Sequence, residues 1–291
     1  MALRGVKPEL IQKRMKALFY GAAGVGKTTA SISFPKVYLI DTEKGAENEQ
    51  YIKRISNSGG VVFQTSDFDE LLKEVTSLLT EKHEYKTLVI DPLTKIYDDL
   101  MDKAADKVGT DFGRHYGEAN KQIKHLLGLL LRLDMNVIIT SHAKTEYHTV
   151  KNDKGKDVMT AVGQTFDCYK KLDYLFDLVI EIQKRGKERV GIIKKSRIEL
   201  LPDGETFPFS YDEIAKRYGR EVLERDAVAQ ELASADQVSE LERLVDLMKV
   251  PPEVVQKWLD KADSVNFKEM SANSIAIVIK YLNSKIKGDA A

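Results

Sequence analysis

The sequence predicts an α/β fold in which a mainly parallel sheet is flanked by helices, with a small all-α domain after it. Three observations predict this. Short apolar runs ending in polar residues ("ALFYG", "KVYLIDTE", "KTLVID", "NVIIT") alternate with segments of helical spacing such as "SDFDELLKEVTSLLT" and "QIKHLLGLLLRL", the pattern of crossover units on a parallel sheet. A later pair, "FDLVIEIQK" and "RVGIIKKSRI", is separated only by "RGKE" and reads as a hairpin at one edge, before the turn "LPDGE". Beyond "EIAKRYGREVLERD" the pattern is helical only: "SADQVSELERLVDLMKV", "PPEVVQKWLDKA" and "SANSIAIVIKYLNSKI" start with the serine or proline that helix caps favour. The expected division is a core over 1–220, a linker over 221–233 and a helical domain over 234–291.

Composition narrows the partners. The 291 residues hold 45 Lys+Arg and 45 Asp+Glu, so attraction to a polyanion must come from a local patch. One cysteine, Cys168, excludes an intramolecular disulfide and fits a reducing compartment, and a packed bystander is the expected role. No run is long enough to span a bilayer and no signal-peptide pattern opens the chain, so a cytoplasmic protein is expected.

The first element carries the clearest chemistry. "GAAGVGKTT", Gly21, Ala22, Ala23, Gly24, Val25, Gly26, Lys27, Thr28 and Thr29, fits G-x-x-x-x-G-K-[ST], in which backbone N–H groups cradle phosphates. Its glycines permit close approach, and the helix that follows adds a favourable dipole. Lys27 is expected on the β and γ phosphates and Thr28 on Mg2+. Asp91, ending "KTLVID", is the second expected magnesium residue.

Ligands of such sheets sit at the carboxyl ends of the strands, where Asp41, Glu43, Ser141 and His142 converge with the glycine loop. Glu43, in "LIDTEKG", is placed either to orient or deprotonate an attacking water or to be a solvated loop acid. His142 is either a sensor of the γ phosphate or a satisfied strand-end histidine. The remaining histidines lack metal-ligand spacing.

The order of these motifs, a G-x-x-x-x-G-K-T loop, a D-x-E at Asp41 and Glu43, a strand-ending Asp91, a polar-His strand end and a late basic "KKSR", resembles the RecA-like P-loop NTPase core over about residues 14–220. More narrowly it resembles the phage-encoded, core-only relatives that anneal single strands. The resemblance implies ATP and Mg2+ as cofactors, Glu43 as catalytic glutamate and His142 as polar sensor. It implies that Lys195 and Arg197 enter a neighbouring subunit's nucleotide site, hence a homo-oligomer, filament or ring. Without it "KKSR" reads as a solvated basic edge. The opening "MALRGVKPELIQ" is too short for the helical N-terminal domain of full-length RecA, so annealing, or loading of a partner such as a single-strand-binding protein, is implied rather than full strand exchange.

Two stretches, "VGTDFGRHYGEANK" and "AKTEYHTVKNDKGKDVMTAVGQTFDCYKK", correspond to the mobile loops with which RecA-like proteins bind single-stranded DNA. Arg114, Tyr116, Lys144, Tyr147, Lys151, Lys154 and Lys156 combine cations with aromatics, as backbone contact plus base stacking requires. A polar lid beside the active site is the other reading of these loops. The functional expectation is an ATP-hydrolysing, single-stranded-DNA-binding recombination or annealing protein, in phage recombination and replication. A helicase-like or clock-protein-like ATPase on another polymer or partner, and a nucleotide-locked assembly module, are the alternatives.

Overall fold

A computed structural model describes residues 12–151 and 155–289. The opening of the chain therefore lies outside the described residues, as does Lys154. Strand β1 (Lys16–Gly21) is buried along its whole length because helices cover both faces of the sheet. Leu18 and Tyr20 point to one apolar cluster, and Ala17 and Phe19 to the other, the two-residue alternation of a pleated strand.

The other strands are β2 (Val37–Asp41), β3 (Val61–Gln64), β4 (Thr87–Asp91), β5 (Asn136–Lys151), β6 (Asp157–Phe166), β7 (Leu178–Arg185), β8 (Glu188–Ser196) and β9 (Thr206–Pro208). Across the sheet the order is β3-β2-β4-β5-β1-β7-β8-β9, with β6 paired only to β5. The pairs from β3 to β7 are parallel, whereas β7–β8, β8–β9 and β5–β6 are antiparallel. The parallel sheet, the flanking helices and the hairpin in "RGKE" are as the sequence predicts.

Helices α1 (Lys27–Ser31), α2 (Glu49–Asn57), α3 (Phe68–Thr80), α4 (Leu93–Val108), α5 (Arg114–Arg132), α6 (Leu172–Leu175), α7 (Tyr211–Tyr218) and α8 (Arg220–Glu224) follow the strands. The Asp67 carboxylate caps α3 by accepting from the N–H groups of Asp69 and Glu70. Ile123, Leu126, Leu127 and Leu130 of α5 recur at helical spacing and are fully buried. Each contributes about 1.5–3 kcal/mol by leaving water.

Three stretches differ from the sequence reading. Between the second and third predicted strands the chain also makes α2 and β3; "VVFQ" has a half-exposed edge pattern, too short and too polar on one face to register as an apolar run. Helix α5 starts at Arg114, so only Gly109 to Gly113 turn between it and α4, and Arg114 and Tyr116 are helical. The expected polar loop after "NVIITSH" is instead a two-stranded ribbon: β5 continues to Lys151 and pairs with β6, with a register shift at Glu146/Tyr147. β-branched and aromatic residues (Thr145, Tyr147, Thr149, Val150, Val158, Thr160, Val162) favour that extended pairing.

Helices α9 (Ala235–Leu247), α10 (Pro252–Lys261) and α11 (Ala272–Asp289) enclose a separate cluster built on Val238, Leu241, Leu244, Leu259 and Ile275. Ser234 and Gln237 close α9 with a reciprocal capping box. Leu259 is buried and Trp258 packs partly buried against the same cluster. The connecting chain is hydrogen-bonded to the amino-terminal end of the central strands β1 and β5. Buried Arg14 donates to the carbonyls of Val222 (2.7 Å), Arg225 (2.8 Å) and Asp226 (2.8 Å), and Asn136 Nδ2 donates to the Leu223 carbonyl at 2.8 Å. Arg132 reaches the Gln230 side chain and the Glu269 carbonyl, and His125 lies 2.9 Å from Glu269.

Candidate active site and ribbon

The register of the sheet sets Gly21 opposite His142 and Asp41 opposite Asp91. The glycine loop, both acids and the histidine therefore share one level at the carboxyl ends of the strands. Gly24 and Gly26 hold left-handed φ angles of 75° and 97°, which cost a residue with a Cβ. A Cβ on Gly21 would collide with the Ile182 carbonyl oxygen, and one on Gly26 with the Arg189 guanidinium. The loop is thus a close-fitted backbone cradle of the kind phosphate groups occupy. Ala22 and Ala23 are exposed on it, and Val25 packs inward against the core.

Lys27 closes over the cradle and donates to the carbonyls of Gly21 (2.9 Å) and Ala22 (3.1 Å). Burial pulls its pKa below the ordinary lysine value, against the opposing pull of Asp91 and Glu43. Asp91 is buried, which raises its pKa, while hydroxyls of Thr140 and Thr28 and the Lys27 charge stabilise the carboxylate. The Thr28 hydroxyl and Asp91 carboxylate are a hard oxygen pair suited to Mg2+.

Asp41, beside Asp91 in the register, is held by backbone N–H groups. Its carboxylate accepts from the N–H groups of Glu43 (3.3 Å), Gly45 (3.1 Å) and Ala46 (2.8 Å), fixing the turn that presents Glu43. Glu43 Oε1 lies 3.4 Å from His142 Nε2, both side chains about half exposed. The backbone N–H of His142, not its imidazole, donates to Thr94 Oγ1 at 3.0 Å.

Thr94 opens a polar knot at the root of the ribbon. Thr94 Oγ1 lies 3.1 Å from Ser141 Oγ and donates to the Asp167 carbonyl at 2.8 Å. The Asp167 N–H donates to the His142 carbonyl, also at 2.8 Å. The first residue after β6 is therefore locked to the strand that carries His142.

Further out, Tyr147, Val150, Val158, Met159 and Val162 are exposed along the ribbon. Lys151 ends β5 and Lys156 precedes β6. Lys144 pairs with Asp167 at 2.9 Å. Tyr116 and Lys144 line one cavity of about 730 Å3 with Tyr97, Lys124, Lys170 and Lys171. Arg114, two residues before Tyr116, donates from Nε to the Asp111 carbonyl at 3.4 Å.

Lys195 and Arg197 stand elsewhere. Lys195 pairs with Val179 and Leu178 with Ala17, at the end of the sheet opposite the glycine loop. Lys195 donates to the carbonyls of Asp173 and Phe176, and Arg197 pairs with Asp177 at 3.2 Å. Cys168 is buried, its thiol pushed up to about 12 by desolvation, an inert environment.

Two residues at these sites escaped the sequence reading. Phe112 is fully exposed at φ 53° in the Asp111–Gly113 turn. An aromatic between two turn formers was its only signal. Arg189, at the start of β8, lies against Gly26, and nothing in "RGKERVGII" marks it.

Among known proteins, the AAA domain family matches residues 13–200. The DNA repair and recombination protein RadB of Methanobrevibacter smithii is 24% identical over 201 residues, 64% of this chain and 81% of that protein. A crystal structure of the RadB recombinase shares 21% identity across 66% of this chain and 84% of that one, with a TM-score of 0.40. No helix among the described residues is long and apolar enough to cross a membrane. With the family match spanning well over half its length and falling on the glycine loop, Asp91 and the parallel sheet, the chain belongs to the AAA domain family and is a P-loop ATPase built on a mainly parallel α/β sheet.

Proposed function

We propose that this protein is an Mg2+-dependent ATPase of DNA recombination that binds single-stranded DNA and promotes annealing, serving phage recombination and replication. The observation that carries this reading is the polar knot. Thr94, Ser141 and Asp167 join the root of the exposed ribbon to the strand of His142, and His142 touches Glu43. A strand bound along the ribbon and over Tyr116 and Lys144 would thereby bias the glutamate beside the phosphate cradle. The relative named for DNA repair and recombination supports the same direction.

In this reading the glycine loop and Lys27 hold the phosphates of ATP, and Thr28 and Asp91 would hold Mg2+, which would supply charge neutralisation for the transferred phosphoryl group. Glu43 orients and deprotonates the attacking water, and His142, whose imidazole meets Glu43 and whose backbone N–H is held by Thr94, couples that glutamate to the strand end. Arg114, Tyr116, Lys144, Tyr147, Lys151, Lys154 and Lys156 supply phosphate contacts and stacking. Lys195 and Arg197, remote from their own chain's loop, act in the site of a neighbouring subunit of a homo-oligomer. The core over 1–220 and the helical domain over 234–291 work as two units joined by 221–233, the second available to a single-strand-binding partner.

The test is ATP turnover by the purified protein with Mg2+, with and without single-stranded DNA, across a salt series. Stimulation that fades as salt rises is the expected result, because phosphate contacts release counterions. Turnover indifferent to DNA would favour an ATPase working on a protein partner.

A further inference from the structure

We infer that Arg189 is a second cation of the nucleotide site, supplied in cis by the β7–β8 hairpin and acting on the phosphate chain at the side away from Lys27. The inference rests on the glycine loop being a nucleotide cradle, and deepens that reading.

Three observations meet at this residue. The guanidinium lies so close to Gly26 that any Cβ there would overlap Nε, with Cδ and Cζ also in contact. Its Nη2 donates to Thr29 Oγ1 at 3.3 Å, one residue past the magnesium-side Thr28. Its Nε is shielded from solvent and has no hydrogen-bond partner. A buried, unpaired donor on a charged group is unfavourable unless the site brings an acceptor. In a loop whose backbone cradles phosphates, the acceptor at hand is a phosphate oxygen.

Charge and geometry agree with that assignment. Lys27 donates to the carbonyls of Gly21 and Ala22, at the start of the loop. Arg189 lies at its other end, over Gly26 and Thr29. A polyphosphate along the loop would meet a point charge at one end and a planar, multi-donor guanidinium at the other. The register Lys184↔Arg189 places this residue beside the hairpin turn, so the hairpin becomes part of the site.

The experiment measures the Kd for MgADP by calorimetry, and the melting temperature without nucleotide, for the full chain and for Arg189→Ala, Arg189→Gln and Arg189→Lys. Loss of a charge-assisted hydrogen bond should raise Kd about tenfold or more in Arg189→Ala and Arg189→Gln. Arg189→Lys should recover part of the affinity, and the melting temperatures should stay together. Unchanged affinity in Arg189→Gln overturns the inference, and so does a rise in Kd that only follows a fall in melting temperature and that lysine does not relieve. If the alanine variant does not fold, the glutamine and lysine variants decide. Failure of the unaltered protein to bind MgADP would remove the nucleotide reading itself, a result distinct from the others.

Discussion

Glu43 shows how one side chain is made useful by the residues around it. Asp41 spends its carboxylate on three backbone N–H groups of the following turn, so the D-x-E pattern divides into a structural acid and a presented one. Glu43→Gln keeps size and hydrogen bonding but removes the carboxylate proposed to act as the base. It should hold ATP with near-normal affinity while hydrolysis slows by roughly 10²–10⁴-fold, as read by nucleotide binding and steady-state turnover side by side. Normal turnover would return Glu43 to the class of solvated acids. The positions of Lys27, Thr28, Asp91 and Glu43 near one sheet end were legible in the sequence because each lies at, or within a short loop of, the carboxyl end of an apolar strand. Arg189 was not, since it reaches the loop through an antiparallel hairpin whose return no local pattern reveals.

At the scale of elements, burial decided what could be read. β1 and β4 lie between two helix layers, so every residue is buried and the run stands out. β3 alternates half-exposed and exposed residues, and the ribbon is wet on both faces, so neither offers the hydrophobic contrast that marks a strand. The turn between α4 and α5 illustrates the cost side. Phe112 keeps a left-handed φ and a fully exposed ring, both unfavourable for an aromatic residue, and such local conflicts gather at functional sites. If single-stranded DNA binds here as proposed, the exposed Phe112 ring beside Arg114 and Tyr116 would offer a stacking surface for an unpaired base. Phe112→Ala should weaken single-stranded DNA binding by about 1–3 kcal/mol, roughly five- to 150-fold in Kd, measured by fluorescence anisotropy on a labelled oligonucleotide. An unchanged Kd would leave the aromatic turn without a part in DNA binding.

The whole molecule is held at two ends of one sheet, the upper carrying the site and the lower fastening the chain that leads to α9–α11. If Arg197 acts across subunits, mixing Arg197→Ala protein with Glu43→Gln protein should restore part of the turnover that each lacks. No recovery in oligomers shown to be mixed would confine Arg197 to its pairing with Asp177. The lower end makes its own prediction. Lys16 is buried beneath the sheet and donates to the carbonyls of Leu133 (2.8 Å) and Met135 (2.9 Å). Burial is the largest influence on it and pulls its pKa from 10.5 to about 7, with Asp134 opposing. The unfolded chain then binds more protons than the folded one between about pH 7 and 10.5, so this lysine destabilises the fold at neutral pH and the penalty is relieved as pH rises. One proton corresponds to a slope of about 1.4 kcal/mol per pH unit. The buried thiol of Cys168, which ordinarily ionises near 9.0 and is pushed up to about 12, has the opposite sign and begins to lower stability above pH 9. The clean window is therefore pH 7.5 to 9. Urea unfolding there should show the unaltered protein gaining stability on Lys16→Met by about 1 kcal/mol per pH unit. Parallel pH profiles for the two proteins would mean that the folded chain keeps Lys16 protonated throughout, held by its two carbonyls and Asp134 strongly enough to cancel its desolvation.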